Sequence, residues 1–314
     1  MRRLCLTLIF GLALSACSND FAPYSQLDRL RILAVSSEPA TPLPGQTATL
    51  SALTFAPAGE SLAYHWTWCP VTAPASQGYT CPLDQAAANR VFAGAVDPGV
   101  APELPSLDLG AGAAATLTNP FSVSALSALC ATGIDSQNFS QGLDCEGGFP
   151  VTVVLDVSTA TASLRAGFVL RLPSATPPPI NNNPSPTGLL LAGIPLGDPP
   201  ATIVVAPAQT LDLQAHIPVD ASELRPVPAA EGPPGLRLER LTASWFADAG
   251  RIDKARTAFI DGVAPLNQTS QNRWTAPSTA QWPTNTLIQF LLVLRDDRGG
   301  ASWLVRQVQL EQPP

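Results

Sequence analysis

Cysteine, histidine, the carboxylates and tryptophan are the residue types through which this chain could do chemistry or grip a ligand. It has 6 cysteines but only 2 histidines in 314 residues. His65 lies in LAYHWTWC, where strand alternation sets Leu62, Tyr64, Trp66 and Trp68 on one side and His65 with Thr67 on the other. His216 closes the run 209–217, in which Leu211, Leu213, Ala215 and Ile217 share one face and Asp212, Gln214 and His216 the other. Both histidines therefore read as solvent-facing strand residues. No GxSxG elbow, HExxH pair or glycine-rich phosphate cradle accompanies them. A carboxylate pair drawn from 24 scattered acids has no spacing to single it out. The chain is read as not an enzyme.

Cys69, Cys81, Cys130 and Cys145 are an even set, which in an exported chain means disulfides. Zinc is the competing chemistry, but there is no CxxC spacing and neither histidine stands near a cysteine pair in a metal-like arrangement. Three pairings exist and the sequence alone does not choose among them. Cys69–Cys81 and Cys130–Cys145 are favoured because their separations of 12 and 15 close short loops. A loop of that size contributes about 3 kcal/mol in the chain-entropy picture. No metal and no cofactor is expected.

Export is written at the N-terminus. Arg2 and Arg3 precede an apolar run, residues 4–14, which is too short to span a bilayer and has the layout of a secretory signal. Cys5 leaves with that signal. The run ends in Leu14-Ser15-Ala16-Cys17, which resembles the lipobox of bacterial lipoproteins. That resemblance implies a signal peptide at 1–16, lipidation of Cys17 (palmitate among the acyl chains) and a membrane partner reached through it. Ser18 in place of aspartate implies the outer membrane, on its periplasmic or surface face. Residues 17–28 are polar and mixed and read as a tether.

Composition narrows the rest. The 17 basic side chains, a single lysine (Lys254) among them, face 24 acidic ones for a net charge of −7, which excludes nucleic acid as a partner. The 33 prolines and 22 glycines disfavour helix-rich folds yet stay below the level of disorder. Strand-like runs recur at 29–37, 46–55, 62–69, 150–158 and 162–172, then at 188–192, 202–205, 209–217, 237–246, 287–295 and 301–310, with loops at 195–200 and 226–235. Between 70 and 148 strand pattern is faint; 83–95 and 122–131 read as short helices, the second capped by Ser122. SATPPPINNNPSPT, residues 174–187, is a linker by composition.

The reading is all-β: two tandem antiparallel β-sandwiches, residues 29–173 and 188–314, the first with a disulfide-bearing insertion at 70–148. Trp66 and Trp68 on the third strand, Trp245 in LTASWFADAG, then Trp274-Thr-Ala-Pro277 and LLVLRDDRGGASW, resemble bacterial Ig-like and PKD-like domains. That resemblance is informative about fold and nearly silent about function. Asn181-Asn182-Asn183-Pro184 faintly resembles the inter-domain linker of cadherins, and Asp296-Asp297 sits in a turn. The linker has no acid to hold calcium, and the turn is what Asp and Gly form anyway. Tyr64, Trp66 and Trp68 would stack sugars if exposed, though a shared inward face makes them core. Segment 70–148 is either a contact surface or a flap completing the sandwich. Asn138 and Asn267 head glycosylation sequons that carry no weight behind a bacterial signal. The expected function is a non-catalytic, lipid-anchored envelope protein that contacts a protein partner; the alternative is a carbohydrate-binding or adhesin-type lipoprotein acting on glycan.

Overall fold

The computed structural model describes residues 23–313 apart from 58, 72, 102, 133–144, 146, 177–179, 228–231 and 283–286. The chain is all-β, in two sandwiches. The first contains β1 (Arg31–Glu38), β2 (Thr47–Phe55), β3 (Ala63–Cys69), α1 (Gln85–Phe92), β4 (Asp108–Gly110), β5 (Ala114–Thr118), α2 (Val123–Thr132), β6 (Phe149–Ser158) and β7 (Ser163–Leu172). Its sheets run β1-β2-β5 and β4-β3-β6-β7, which is an immunoglobulin-like order with the tryptophan strand β3 inside the second sheet. Trp66 and Trp68 are fully buried, as the alternation of β3 requires.

The second sandwich contains β8 (Gly188–Leu191), β9 (Ile194–Leu196), β10 (Ala201–Val204), β11 (Thr210–His216), β12 (Leu224–Pro226), β13 (Leu236–Leu238), β14 (Leu241–Ala247), β15 (Arg251–Ile252), β16 (Arg256–Phe259), α3 (Leu266–Thr269), β17 (Gln271–Thr275), β18 (Leu287–Arg295) and β19 (Ala301–Glu311). Five strands, β10-β19-β18-β14-β16, face five more, β15-β17-β11-β8-β9. β10 lies parallel to β19, and β12 with β13 forms a separate two-stranded ribbon. Trp245 and Trp274 fill this core, Trp274 edge-on to Phe290 at 5.4 Å.

Segment 70–148 is not one insertion. β5 pairs with β2 and β4 with β3, so two framework strands divide it into two excursions. Their shortness and their glycine and alanine content hid them from a pattern search for β-branched runs. The first excursion contains Cys69–Cys81 and α1, whose first turn is capped where Ala87 N donates to Asp84 Oδ1 at 2.7 Å. The second contains α2, capped by Ser122 through Ala125 N at 3.2 Å, and Cys130–Cys145. Phe92, Phe121 and Phe149 meet at ring separations of 5.5–6.5 Å beside Trp68, so the excursions close one end of the sandwich as a flap.

The two sandwiches pack side by side. Leu33, Ala34 and Leu53 on the outer face of β1 and β2 meet Phe246, Leu291 and Val293 on the outer face of β14 and β18, with Leu27 among them. This explains why β18 reads FLLVL with five consecutive buried residues: both of its faces are covered. Arg295 also reaches across to the carbonyl of Leu33.

Residues 23–28 differ from a free tether. Gln26 makes a parallel bridge to Ala247, with Leu27 N to Ala247 O at 3.0 Å and Ala247 N to Ser25 O at 3.1 Å. Ser25 and Leu27 are buried. The apolar Tyr24 and Leu27 inside a polar stretch supply the grip: Tyr24 packs 5.4 Å from Phe246.

Candidate functional site at the junction of the sandwiches

Of the residues singled out by sequence, those of the signal (1–16, Cys5 included), Cys17, Ser18 and Asn138 lie outside the described residues. The four remaining cysteines are joined Cys69–Cys81 and Cys130–Cys145. Trp66 and Trp68 donate their indole N–H groups to Gly112 O and Ser106 O, both at 2.9 Å, and offer no stacking platform. Tyr64, half-buried, bonds Thr54. His65 pairs with Asp108 at 3.2 Å on the first sandwich, while His216 meets the Thr187 hydroxyl on the second. A hydroxyl, an imidazole and a carboxylate are therefore not assembled at either histidine.

What the structure does assemble is the junction, from four separated segments. The linker asparagines become brackets. Asn183 Nδ2 donates to Ser37 O at 2.8 Å and to Glu38 at 2.7 Å on the first sandwich, and its Oδ1 accepts from Ala301 N at 2.9 Å on the second. Asn181, buried, donates to Asp296 Oδ2 at 3.2 Å. The turn Asp296–Gly300 is built on Asp296 Oδ1, which accepts from Arg298 N and Gly300 N at 2.8 and 2.7 Å.

Arg298 is the hub. Its guanidinium donates to Glu239, to Glu223 Oε2 at 2.6 Å and to Ile180 O at 2.8 Å, tying β12, β13 and the linker to the β18–β19 turn. Beside it Arg225, 6% exposed at its side chain, pairs with Asp297 at 2.7 Å, and Arg237 stands 3.8 Å from the same carboxylate. Glu239 is wholly buried. Burial first, and then the facing Asp296, push its carboxyl up to about 7 against the pull of Arg298. Burial likewise raises Asp296, against the backbone N–H groups that hold it.

The linker and Asp296 thus converge as a calcium site would need, but the donor set does not suit the ion. A guanidinium already occupies the cationic place. Of the buried side-chain oxygens at this junction, only Asn181 Oδ1 and Asp297 Oδ1 lack a hydrogen-bond partner, far from the six to eight ligands calcium takes. Among the described residues no three His, Cys, Asp or Glu side chains group as metal ligands.

The ribbon beside this network was not visible in the sequence, where 226–235 reads as a loop. Register sets Leu224 opposite Leu238 and Pro226 opposite Leu236. With Arg225 turned inward to Asp297, these four apolar side chains share the outward face. Leu224 is 65% exposed and Leu236 69%.

No protein family and no curated protein matches the chain. Similar solved structures include the three N-terminal domains of the outer capsid protein Hoc of bacteriophage RB49, at 12% identity and TM-score 0.21, covering 90% of this chain and 59% of that one. The FN1-FN3 domains of chicken CNTN1 match at 10% identity and TM-score 0.20, covering 91% and 69%. Titin Ig tandem domains A164-A165 match at 10% and 0.18, covering 90% and 97%. This chain spans about three fifths of the phage chain. At such scores these likenesses carry no argument, and the sandwich assignment rests on strand order.

Proposed function

We propose that this chain is a non-catalytic module of the cell envelope, tethered to the outer membrane by a lipid on Cys17, which presents a protein-binding face at the far end of a rigid body. The exposed ribbon carries this reading. Four apolar side chains on two strands held from behind by a buried ion pair form a small hydrophobic surface, and such surfaces mark contact sites. β14 starts beside the ribbon and ends beside Ser25, so about 20 Å of strand separates the face from the end where the chain leads back to Cys17. The junction brackets keep that geometry.

Crosslinking on intact cells, followed by pull-down and mass spectrometry, tests it. A dominant protein partner lost on Leu224→Ser with Leu236→Ser supports the reading; a partner unchanged by that pair, or none, overturns it. A polar cleft of about 470 Å³ on the outer face of β11 and β17, lined by Asp212, Gln214, Lys254, Gln271 and Arg273, favours the glycan alternative. Saturable glycan-array binding lost on Gln214→Ala and Gln271→Ala would establish that alternative instead.

A further inference from the structure

We propose that the end of the molecule around Pro23 is a docking face for the anionic phospholipid headgroups of the leaflet; this rests on the lipid-anchor reading and says how the anchored body stands. Four arginines surround the point where the chain leaves the described body. Arg29 and Arg31 share with Pro23 an open groove of about 730 Å³ that Tyr24 and Leu164 also line. Arg251 shares with Pro23 a second groove, of about 540 Å³, on the other side. Arg256 stacks on the Tyr24 ring, 4.8 Å from its centroid, and Arg31 lies 5.9 Å from the same centroid. The chain as a whole is acidic, at −7, so an anionic leaflet repels it except where cations gather.

Three details fit a headgroup rather than a solvated surface. Arg31, 17% exposed at its side chain, donates through Nη1 to Tyr24 O at 3.1 Å, which holds its guanidinium in place beside the groove a phosphate would enter. The half-exposed Tyr24 and Leu164 set an aromatic and an aliphatic side chain among the guanidinium groups, the mixture favoured at a membrane interface. Pro23 is six residues from Cys17, a span of at most about 20 Å, so an acylated Cys17 holds these arginines against the leaflet. Among the described residues the acids nearby are Asp28, engaged by Arg29 at 2.9 Å and Arg31 at 3.7 Å, and the half-buried Asp248, which lines the Arg251 groove and accepts from Gln289 N at 2.9 Å.

The test uses a chain beginning at Ser18, which retains every described strand, both disulfides and all three buried clusters, and therefore reads docking without the lipid. Co-sedimentation with phosphatidylcholine vesicles is compared with vesicles containing about a third phosphatidylglycerol, at low and at physiological salt. Binding is expected only to the anionic vesicles, weakening with salt. Arg29→Glu with Arg31→Glu lowers it at least tenfold, at about fivefold per arginine near an anionic surface. Arg251→Glu with Arg256→Glu does the same, while Arg90→Glu with Arg240→Glu leaves binding unchanged. Equal binding to neutral vesicles, no binding to either, or indifference to both cluster pairs overturns the proposal. Retention of the melting temperature separates lost binding from lost fold. Radiolabelled palmitate on Cys17 reads the anchor independently: label without vesicle binding removes the docking face alone, and binding without label removes the anchor alone.

Discussion

The two sandwiches share a strand plan and differ in how they hold what lies outside it. The first holds two long excursions covalently: each has its own disulfide, and together they plug the core with Phe92, Phe121 and Leu126. The second contains no cysteine and ties its ribbon and turn together with charges, through Arg298 on Glu223 and Glu239 and through Arg225 on Asp297. A disulfide acts chiefly on the unfolded chain and is indifferent to mild pH. A buried ion network acts on the folded state, carries a desolvation cost and responds to pH. One chain thus combines a redox-sensitive half with a pH-sensitive half.

Removing both disulfides should break this contrast most. Replacing all four cysteines with alanine is expected to cost about 3 kcal/mol per crosslink, seen in calorimetry as a first-sandwich transition falling well below the second. If both transitions fall together, the packed face between the sandwiches, rather than the crosslinks, sets the cooperative unit.

Arg298→Ala strands the buried Glu239 and should cost about 3–5 kcal/mol at pH 8, in the second sandwich only. Arg298→Lys should recover only part of this, because one ammonium cannot serve Glu239, Glu223 and the Ile180 carbonyl in the same fork geometry.

The pH dependence is next in size. Glu239 has its folded pKa raised from 4.5 to about 7, so between those values the folded state retains a proton that the unfolded state releases. The stabilisation is complete below about pH 4.5 and is lost as pH rises through about 7, a change of roughly 3 kcal/mol. Asp296, also raised by burial, adds with the same sign. Urea titrations from pH 5 to 8 should show stability falling, and Glu239→Gln should flatten the curve. Stability that rises over this range refutes the assignment. The smallest effect is expected at the ribbon: Leu224→Ser and Leu236→Ser, both mostly exposed, should each move stability by no more than about 0.5 kcal/mol by urea titration.

What could be read in advance was local. Alternation placed Trp66, Trp68, Leu213 and Ala215 inward and His65 and His216 outward, and Ser122 stands at its helix cap. Short loop closure favoured, without deciding, the two disulfides that form. β15, β16 and β17 were invisible, being short and interrupted, and nothing local to β2 announces that the face bearing Leu53, opposite to that of Leu50, is covered by the other sandwich. The junction was less legible still. Asn181 and Asp296 are 115 residues apart and Glu239 and Arg298 are 59 apart, and no periodicity relates such pairs. A linker rich in asparagine reads as flexible until the carbonyls and carboxylates that fix each amide are known.

The bridge from Gln26 to Ala247 changes how the body would carry force. A pull on the N-terminal segment reaches the second sandwich directly through Leu27 N and Ser25 O, without passing along the linker. Tension between that segment and anything gripping the ribbon would run lengthwise along the covalent backbone of β14, and the bonds it loads in shear are the two that join Ser25 and Leu27 to Ala247. The same segment continues into β1, so the first sandwich shares the load through that strand, while its excursions and disulfides lie off the path.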